Sequence, residues 1–128
     1  MTKILLAEDD KFFLAIYKNK LQQENYEVTT VEDGQQAIDY LKTSTPDLII
    51  LDLIMPKKDG FEVLEFIKSQ DGLKNIPVIV FSSLSQTSDI QKAKNLGAND
   101  YLDKSNTDVN VLKTKINSIL GNPDQLGR

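Results

Sequence analysis

An unbroken apolar run, Leu48–Leu51, is the feature that most restricts the fold of this chain, because it ends abruptly at the carboxylate of Asp52. Two turn signals follow, at Met55-Pro56 and at Asp59-Gly60. A short apolar run between turn signals is typical of a strand that is buried on both faces. The pattern therefore places a carboxylate where a buried strand reaches the surface, just before a turn stiffened by proline.

Four further segments have the pattern of a strand, and five have the apolar spacing of a helix. The predicted strands are Lys3–Ala7, Tyr26–Val31, Leu48–Leu51, Val78–Phe81 and Ala98–Leu102. The predicted helices are Phe12–Gln23, a short one marked by Ala37, Ile38 and Leu41, one from Phe61 to about Asp71, one marked by Ile90, Ala93 and Leu96 with Gly97 as C-cap, and Val109–Leu120. Alternating strands and helices with continuous apolar strands predict an α/β fold, a doubly wound five-stranded parallel sheet with helices on both faces.

The ends of these elements carry further predictions. Asp10 is expected to cap the first helix, which directs Phe13, Ile16, Tyr17 and Leu21 to one face. Gly121 ends the last helix, so residues 1–121 form one domain. Residues 122–128 are expected to be a short frayed tail.

Polar residues follow the predicted strands at their carboxyl ends, where doubly wound folds place their functional crevice. The first strand is followed by Glu8-Asp9-Asp10, and the third by Asp52. The fourth is followed by Ser82-Ser83, and the fifth by Asp103-Lys104. We therefore expect acids, a hydroxyl and a lysine to meet at one edge of the sheet.

Composition restricts the chemistry of this edge. The 128 residues include no cysteine and no histidine, which excludes thiolate and imidazole ligands and Ser-His triads. The formal net charge of −4 argues against direct nucleic-acid binding by this domain. The apolar segments are shorter than a membrane span or a signal peptide, so the expected location is the cytoplasm.

Carboxylates held close together favour a hard cation. Two carboxylates 4 Å apart repel by about 4 kcal/mol at an effective dielectric constant of 20. Mg²⁺ relieves this repulsion and binds through one or two carboxylates together with a phosphate. Asp52 is then suited to be a nucleophile that forms an aspartyl phosphate. Lys104 supplies a positive charge for one phosphoryl oxygen, and the hydroxyl of Ser82 can donate a hydrogen bond to another.

Several motifs together resemble the receiver domain of two-component response regulators over essentially the whole chain. They are Ile4-Leu-Leu-Ala-Glu-Asp-Asp10, Pro46-Asp-Leu-Ile-Ile-Leu-Asp-Leu-Ile-Met-Pro56 with Asp59-Gly60, Pro77-Val-Ile-Val-Phe-Ser82, and Gly97-Ala-Asn-Asp-Tyr-Leu-Asp-Lys104. The resemblance implies a flavodoxin-like fold with strand order 2-1-3-4-5. It also implies that Asp52 accepts phosphate from a histidine kinase or a histidine phosphotransfer domain.

The resemblance further implies a role for each residue of the edge. Asp9 is a direct Mg²⁺ ligand, Glu8 acts nearby or through water, and Asp52 and the backbone carbonyl of Ile54 complete the protein ligands. Lys104 contacts the phosphoryl group. The resemblance makes Ser82 the switch hydroxyl and Tyr101 the switch aromatic, which together change the partners of the face formed by the fourth helix, fifth strand and fifth helix.

The chain departs from the family pattern at three positions. Ser105 stands where the family usually has a proline after the lysine, so we expect a trans bond after Lys104. Ser82 replaces the commoner threonine and retains a hydroxyl. Asp103 adds an acid beside Lys104, and strand alternation predicts that it points away from the pocket.

Two apolar residues suggest a slow loss of phosphate. Ile54 lies two residues after Asp52, and Leu84 lies two residues after Ser82. In the family, polar residues at these positions can orient the attacking water, whereas apolar side chains form no hydrogen bond to it. The hypothesis is that the aspartyl phosphate of this chain is comparatively long-lived; alternatively, both residues only cover the rim.

Other functions stay open at this point. A receiver-like interaction scaffold that works without phosphorylation is the main alternative, and a small phosphatase or flavin protein is a third reading. A G-x-G-x-x-G or P-loop pattern is absent from the sequence. The output is either a separate protein target or an output domain of a longer regulator. The chain is expected to be a monomer or a weak dimer through the fourth-helix to fifth-helix face.

Overall fold

A computed structural model describes residues 1–121, and the predicted tail at 122–128 lies outside this range. Within it, five strands alternate with five helices, as the sequence predicts. In chain order they are β1 (Lys3–Ala7), α1 (Lys11–Gln23), β2 (Glu27–Val31), α2 (Gly34–Thr43), β3 (Leu48–Leu51), α3 (Gly60–Ser69), β4 (Val78–Ser82), α4 (Thr87–Asn95), β5 (Asp100–Asp103) and α5 (Val109–Leu120).

The strands form one sheet in the order β2-β1-β3-β4-β5, and every neighbouring pair is parallel. In the centre of the sheet, Ile50 of β3 pairs with Leu6 of β1 on one side and with Ile79 of β4 on the other. The predicted doubly wound order 2-1-3-4-5 is therefore confirmed. Parallel strands align their carboxyl ends, so the loops that follow β1, β3, β4 and β5 lie along one edge.

The core has two layers, one on each face of the sheet. Successive strand residues point to opposite faces, so Ile49 belongs to one apolar cluster and Ile50 to the other. The first cluster packs beneath α2, α3 and α4 through buried residues that include Leu41, Leu64 and Ala93. The second cluster packs beneath α1 and α5. Burial of each large aliphatic side chain contributes about 1.5–3 kcal/mol, which explains why the central strands are apolar throughout.

Aspartate is the N-cap residue of four of the five helices in the described part of the chain. The side chain of Asp10 accepts hydrogen bonds from the amides of Phe12 and Phe13, so the predicted cap of α1 is confirmed. Asp33, Asp59 and Asp108 cap α2, α3 and α5 in the same way. Each cap satisfies amide groups that have no partner within the helix and typically stabilises it by about 1 kcal/mol.

The inward face of α1 is narrower than predicted. Tyr17 and Leu21 are buried and Phe13 is half-buried, but Ile16 is 37% exposed. Residues 13, 17 and 21 follow one another at intervals of four and form the buried stripe, whereas Ile16 lies at its margin. The prediction that Ile16 faces the core is therefore wrong.

Several predicted boundaries shift by one to three residues. Strand β2 begins at Glu27 because the amide of Tyr26 still bonds to the carbonyl of Leu21 at the end of α1. Helix α3 ends at Ser69, before Asp71, since the following turn bonds back to Gln70.

Strand β5 is Asp100–Asp103, shifted from the predicted 98–102. The amide of Ala98 bonds to Ala93 and completes the turn that ends α4, so pairing with β4 starts only after it. In that turn Leu96 is the C-cap, and Gly97 follows it with a left-handed φ of 102°. Strand β4 extends one residue further than predicted, to Ser82.

Candidate functional site

The carboxyl ends of β1, β3 and β5 bring together four of the predicted site residues. Ala7 pairs with Leu51, so Glu8 and Asp52 leave the sheet side by side. Carboxylate oxygens of Glu8, Asp9 and Asp52 all lie within 4.8 Å of one another. Lys104 reaches the same point from the end of β5 and bonds to both Glu8 and Asp52. The predicted convergence of acids and lysine at one edge is present in the structure.

Lys104 bridges the two buried carboxylates. Its Nζ lies 2.7 Å from Oδ2 of Asp52 and also donates to Oε1 of Glu8. The three side chains are only 8%, 5% and 4% exposed for Lys104, Asp52 and Glu8. Asp9, in contrast, is exposed. The cluster thus has a buried floor and one carboxylate that faces solvent.

Charge in the cluster is unbalanced, because one ammonium group faces three carboxylates. Burial raises the pKa of Glu8 to about 7, although Lys104 and the amide of Asp10 donate hydrogen bonds to it. Burial opposes the charge of Lys104, but the bonds to Asp52 and Glu8 outweigh that effect and raise the pKa of Lys104. Two negative charges remain without a partner when all three acids are ionised, which is the condition that a divalent cation satisfies.

A cavity of about 280 Å³ opens above this cluster. Its walls are formed by the acids and by residues of α1 and of the loops that follow β3, β4 and β5: Glu8, Asp9, Asp10, Phe13, Asp52, Ile54, Ser83, Lys104 and Ser105. The amide of Ile54 donates to Oδ1 of Asp52 at 3.1 Å, and its side chain is 48% exposed at the rim. A group the size of a phosphate can therefore reach Asp52 from solvent.

The β3–α3 loop that carries Asp52 is closed on itself at Gly60. The amide of Gly60 donates to the carbonyl of Leu53 at 3.0 Å. A Cβ at this position would lie 2.3 Å from the backbone oxygen of Asp52. The Asp59-Gly60 step thus needs glycine, because α3 begins in contact with the backbone of the β3–α3 loop.

Ser82 ends β4, is fully buried and is not among the residues that line the cavity. Its Oγ accepts a hydrogen bond of 3.3 Å from the amide of Leu84, and its backbone carbonyl accepts one from the amide of Lys104. The neighbouring Ser83 lines the cavity. Of the Ser82-Ser83 pair only Ser82 was predicted to have a role, although the adjacent serine indicates a second hydroxyl after β4.

Tyr101 connects β5 to the loop after β4. It pairs with Val80 in the sheet, and its hydroxyl donates to the backbone carbonyl of Leu84. Burial, with added repulsion from acids that include Asp89 and Asp103, raises the pKa of Tyr101 to about 12. The hydroxyl therefore stays protonated at neutral pH and acts as a donor. Ser82 and Tyr101 contact the same residue, Leu84, through its amide and its carbonyl.

Asp103 and Ser105, the two residues next to Lys104 that depart from the family pattern, form their contacts within the β5–α5 loop. The Lys104–Ser105 peptide bond is trans, as are the others within residues 1–121. The carboxylate of Asp103 accepts hydrogen bonds from the amide of Ser105 at 2.9 Å and from the side chain of Asn106 at 3.1 Å. Asp103 thus bonds within the β5–α5 loop, in line with the predicted alternation, and Lys104 is left to the two acids.

Phe13 is a site residue that sequence reasoning did not identify. Its ring centroid lies 5.1 Å from Nζ of Lys104. The ring also stacks on that of Tyr17, with 5.8 Å between the two centroids. Its spacing predicted only a place on the buried face of α1. Contact with the lysine depends on the position of α1 over the sheet, for which the local sequence holds no signal.

Comparison with known proteins identifies the family. The sequence profile described as "Response regulator receiver domain" matches residues 4–117. The chain belongs to the response regulator receiver domain family. The matched range of this receiver domain contains the whole acidic cavity. The flavodoxin-like fold implied by the sequence motifs is thereby confirmed.

Relatives of the receiver domain include regulators and a sensor kinase. The transcriptional regulatory protein CpxR of Escherichia coli K12 is 37% identical over 120 residues, which cover 94% of this chain and 50% of CpxR. The chain spans about half the length of the curated relatives it matches. No helix within residues 1–121 of the receiver domain is long and apolar enough to cross a membrane.

Two solved structures, a receiver domain and a response regulator, are similar to the chain. The receiver domain of the sensor histidine kinase PA1611 from Pseudomonas aeruginosa, with a magnesium ion coordinated in its active-site cleft, is 28% identical with a TM-score of 0.85, over 94% of this chain and 98% of that one. The phosphorylated cyanobacterial phytochrome response regulator RcpA is 39% identical with a TM-score of 0.77, over 92% of this chain and 90% of RcpA.

Proposed function

We propose that this receiver domain accepts a phosphoryl group on Asp52 from a histidine kinase or a histidine phosphotransfer domain. An oxygen of the Asp52 carboxylate attacks phosphorus and forms the new P–O bond. The bond between phosphorus and the donor nitrogen breaks, and its electron pair leaves with the imidazole. The observation that carries the proposal is the position of Asp52, on the floor of an open cavity and bonded to Lys104 at 2.7 Å.

The donor set around Asp52 suits Mg²⁺. Glu8, Asp9 and Asp52, with the backbone carbonyl of Ile54, would hold the ion, since carboxylate and carbonyl oxygens are the ligands it prefers. When bound, Mg²⁺ neutralises carboxylate charge and polarises phosphoryl oxygens. The solved PA1611 receiver, which holds magnesium in its cleft, supports this assignment. The excess of negative charge in the cluster of three acids and one lysine supports it independently.

Lys104, Ser82 and Tyr101 complete the proposed machinery. Lys104 donates to a phosphoryl oxygen and stabilises the charge that is transferred to the site. The hydroxyl of Ser82 exchanges its contact with the Leu84 amide for one with the phosphoryl group. Tyr101 follows this change because it holds the carbonyl of the same residue. The domain thus assists its own phosphorylation and dephosphorylation while it works as a signalling module.

The phosphorylation state is proposed to be read by protein partners at the face formed by α4, β5 and α5. The reader is either a separate target or an output domain, because the curated relatives are about twice as long as this chain. The domain is proposed to be a monomer or a weak dimer that forms through the same face. The proposed location, the cytoplasm, is where kinases of this class present their phosphohistidine.

Intact-mass measurement after incubation with a small acyl phosphate and Mg²⁺ tests the proposal. The wild type should gain one phosphoryl group, and Asp52→Asn should gain none. Asp47→Asn is the matched control, because Asp47 lies at the opposite end of β3, where it accepts a hydrogen bond from the amide of Lys3. A wild type without mass gain would favour the scaffold that works without phosphate. A gain that persists in Asp52→Asn would reject Asp52 as the acceptor.

A further inference from the structure

The Asp33-Gly34 step at the start of α2 contacts the β3–α3 loop although it contributes no side chain to the cavity. The amide of Gly34 donates to the carbonyl of Pro56 at 3.4 Å. A Cβ on Gly34 would lie 1.9 Å from the backbone oxygen of Lys58 and 2.5 Å from its backbone carbon. Real Cβ atoms do not approach backbone this closely, so α2 and the loop touch only because residue 34 lacks a side chain.

An ion pair reinforces this contact from the neighbouring residues. The carboxylate of Asp33 is only 7% exposed and lies 3.6 Å from Nζ of Lys57. The same carboxylate caps α2 by accepting the amide of Gln36 at 2.7 Å. Lys57 itself adopts a left-handed φ of 69°, which an L-residue seldom adopts without support from its surroundings.

The supported loop carries the reactive end of β3. It begins at Asp52, includes Ile54 at the rim of the cavity, and closes where Gly60 bonds to Leu53. Two points of the loop are therefore held, its closure at Gly60 and its middle against α2. This second contact adds to the burial of Met55 in the core and to the ion pair between Lys58 and Glu62.

We propose that Asp33 and Gly34 are positioning residues that set the β3–α3 loop, and with it Asp52 and the Ile54 carbonyl, in the geometry for cation binding and phosphoryl transfer. The inference rests on the proposed function for its effect on chemistry, whereas the contact itself is independent of that function. Groups that orient metal ligands from outside typically change affinity by about tenfold or more.

Gly34→Ala tests the inference directly. Alanine is favoured over glycine inside helices, so a loss in this variant reports the contact with Lys58 and not helix propensity. Gly72→Ala is the matched control, because a Cβ at Gly72 meets nothing within 4 Å. We expect Gly34→Ala to speed amide hydrogen exchange in residues 53–59 of the metal-free protein. We also expect Mg²⁺ affinity to fall by about tenfold, with Gly72→Ala unchanged in both measurements.

A second pair of variants keeps the test valid if Gly34→Ala fails to fold. Lys57→Gln removes the ion pair with Asp33, and Lys42→Gln removes an exposed charge near the other end of α2. The rate of amide exchange in the loop and the Kd for Mg²⁺ should each rise by about threefold in Lys57→Gln, as expected for the loss of one ion pair between an exposed lysine and a buried aspartate. Lys42→Gln should match the wild type.

The outcomes separate this inference from the proposed function. The positioning role would be overturned if a folded Gly34→Ala protein, or Lys57→Gln, had the same amide exchange in the loop and the same Mg²⁺ affinity as the wild type. A wild type that takes no phosphate would refute the proposed function, while the exchange measurement on metal-free protein would still decide whether α2 holds the loop. Reduced thermal stability with unchanged exchange in residues 53–59 would assign Gly34 a purely structural role and also overturn the inference.

Discussion

Replacing Lys104 by methionine should show how strongly the acidic cluster depends on its one ammonium group. Methionine has a similar length but no charge, so Glu8 and Asp52 would stay buried without their shared partner. Removing one partner of a buried ion pair costs about 3–5 kcal/mol. Because the pKa of Glu8 is already raised to about 7, proton uptake relieves part of this cost. We therefore expect the free energy of unfolding to fall by about 3 kcal/mol, the lower end of that range.

Magnesium should reduce this loss. In the wild type, Lys104 occupies the oxygens of Glu8 and Asp52 to which the cation is proposed to bind, so lysine and cation compete. Binding to the folded state alone stabilises a protein by about 2.7 kcal/mol at a ligand concentration of 100 times Kd. The variant lacks the competing ammonium and should bind Mg²⁺ more tightly. The difference in stability between the variant and the wild type should therefore shrink as magnesium is added.

Urea unfolding followed by circular dichroism measures both effects, with and without magnesium. Lys113→Met is the control, since Lys113 lies 2.7 Å from Glu24 in a pair that is 28% and 38% exposed. It should cost less than about 1 kcal/mol and be insensitive to magnesium. Equal losses for the two variants would refute the argument from burial. If magnesium left the stability difference between Lys104→Met and the wild type unchanged, or increased it, the proposed competition between lysine and cation would be refuted.

Three further predictions concern the rim and the core. Polar residues at two positions, Ile54→Asn at the rim of the cavity and Leu84→Gln in the loop after β4, should speed loss of phosphate from phosphorylated protein. A decay rate that stays unchanged, followed by intact mass, would contradict a role of these two apolar side chains in phosphate lifetime. Tyr101→Phe removes the hydroxyl that holds the Leu84 carbonyl and should increase hydrogen exchange in residues 83–86, whereas exchange equal to the wild type would contradict that tether. Tyr26→Phe removes a 2.6 Å bond to Asn117 and should lower the unfolding free energy by about 1 kcal/mol in urea; a neutral result would mean that water replaces the bond.

Much of the fold follows from local patterns in the sequence. The central strands are buried on both faces, and for that reason their runs, such as Leu48–Leu51, are apolar throughout and easily recognised. Edge strand β5 was placed less accurately, because among its residues only Leu102 is buried. Its mixture of polar and apolar residues is as typical of a loop as of a strand. The first and last residues of β5 are therefore set by pairing with β4, which the local sequence does not reveal.

The acids and the lysine of the site were predictable because parallel strands align their carboxyl ends. The contacts that support them were not. Phe13 reaches Lys104 only through the packing of α1, and Gly34 reaches Lys58 only through the packing of α2. Both contacts join segments that are distant in sequence, and neither has a periodicity or a spacing that marks it. An Asp-Gly step predicts a turn, but the sequence does not say which backbone that turn will touch.

The bond between Glu8 and Lys104, whose residues are 96 positions apart, has a consequence for how the protein is made. The strand that delivers the lysine pairs only with β4 at the edge of the sheet. During synthesis, the carboxylates emerge from the ribosome long before their counter-charge does. Pairing of parallel strands also waits for a long crossover to close. The proposed phosphoacceptor site should therefore be among the last parts of the domain to form, and a nascent chain that stops short of β5 would present its carboxylates without the positive charge of Lys104.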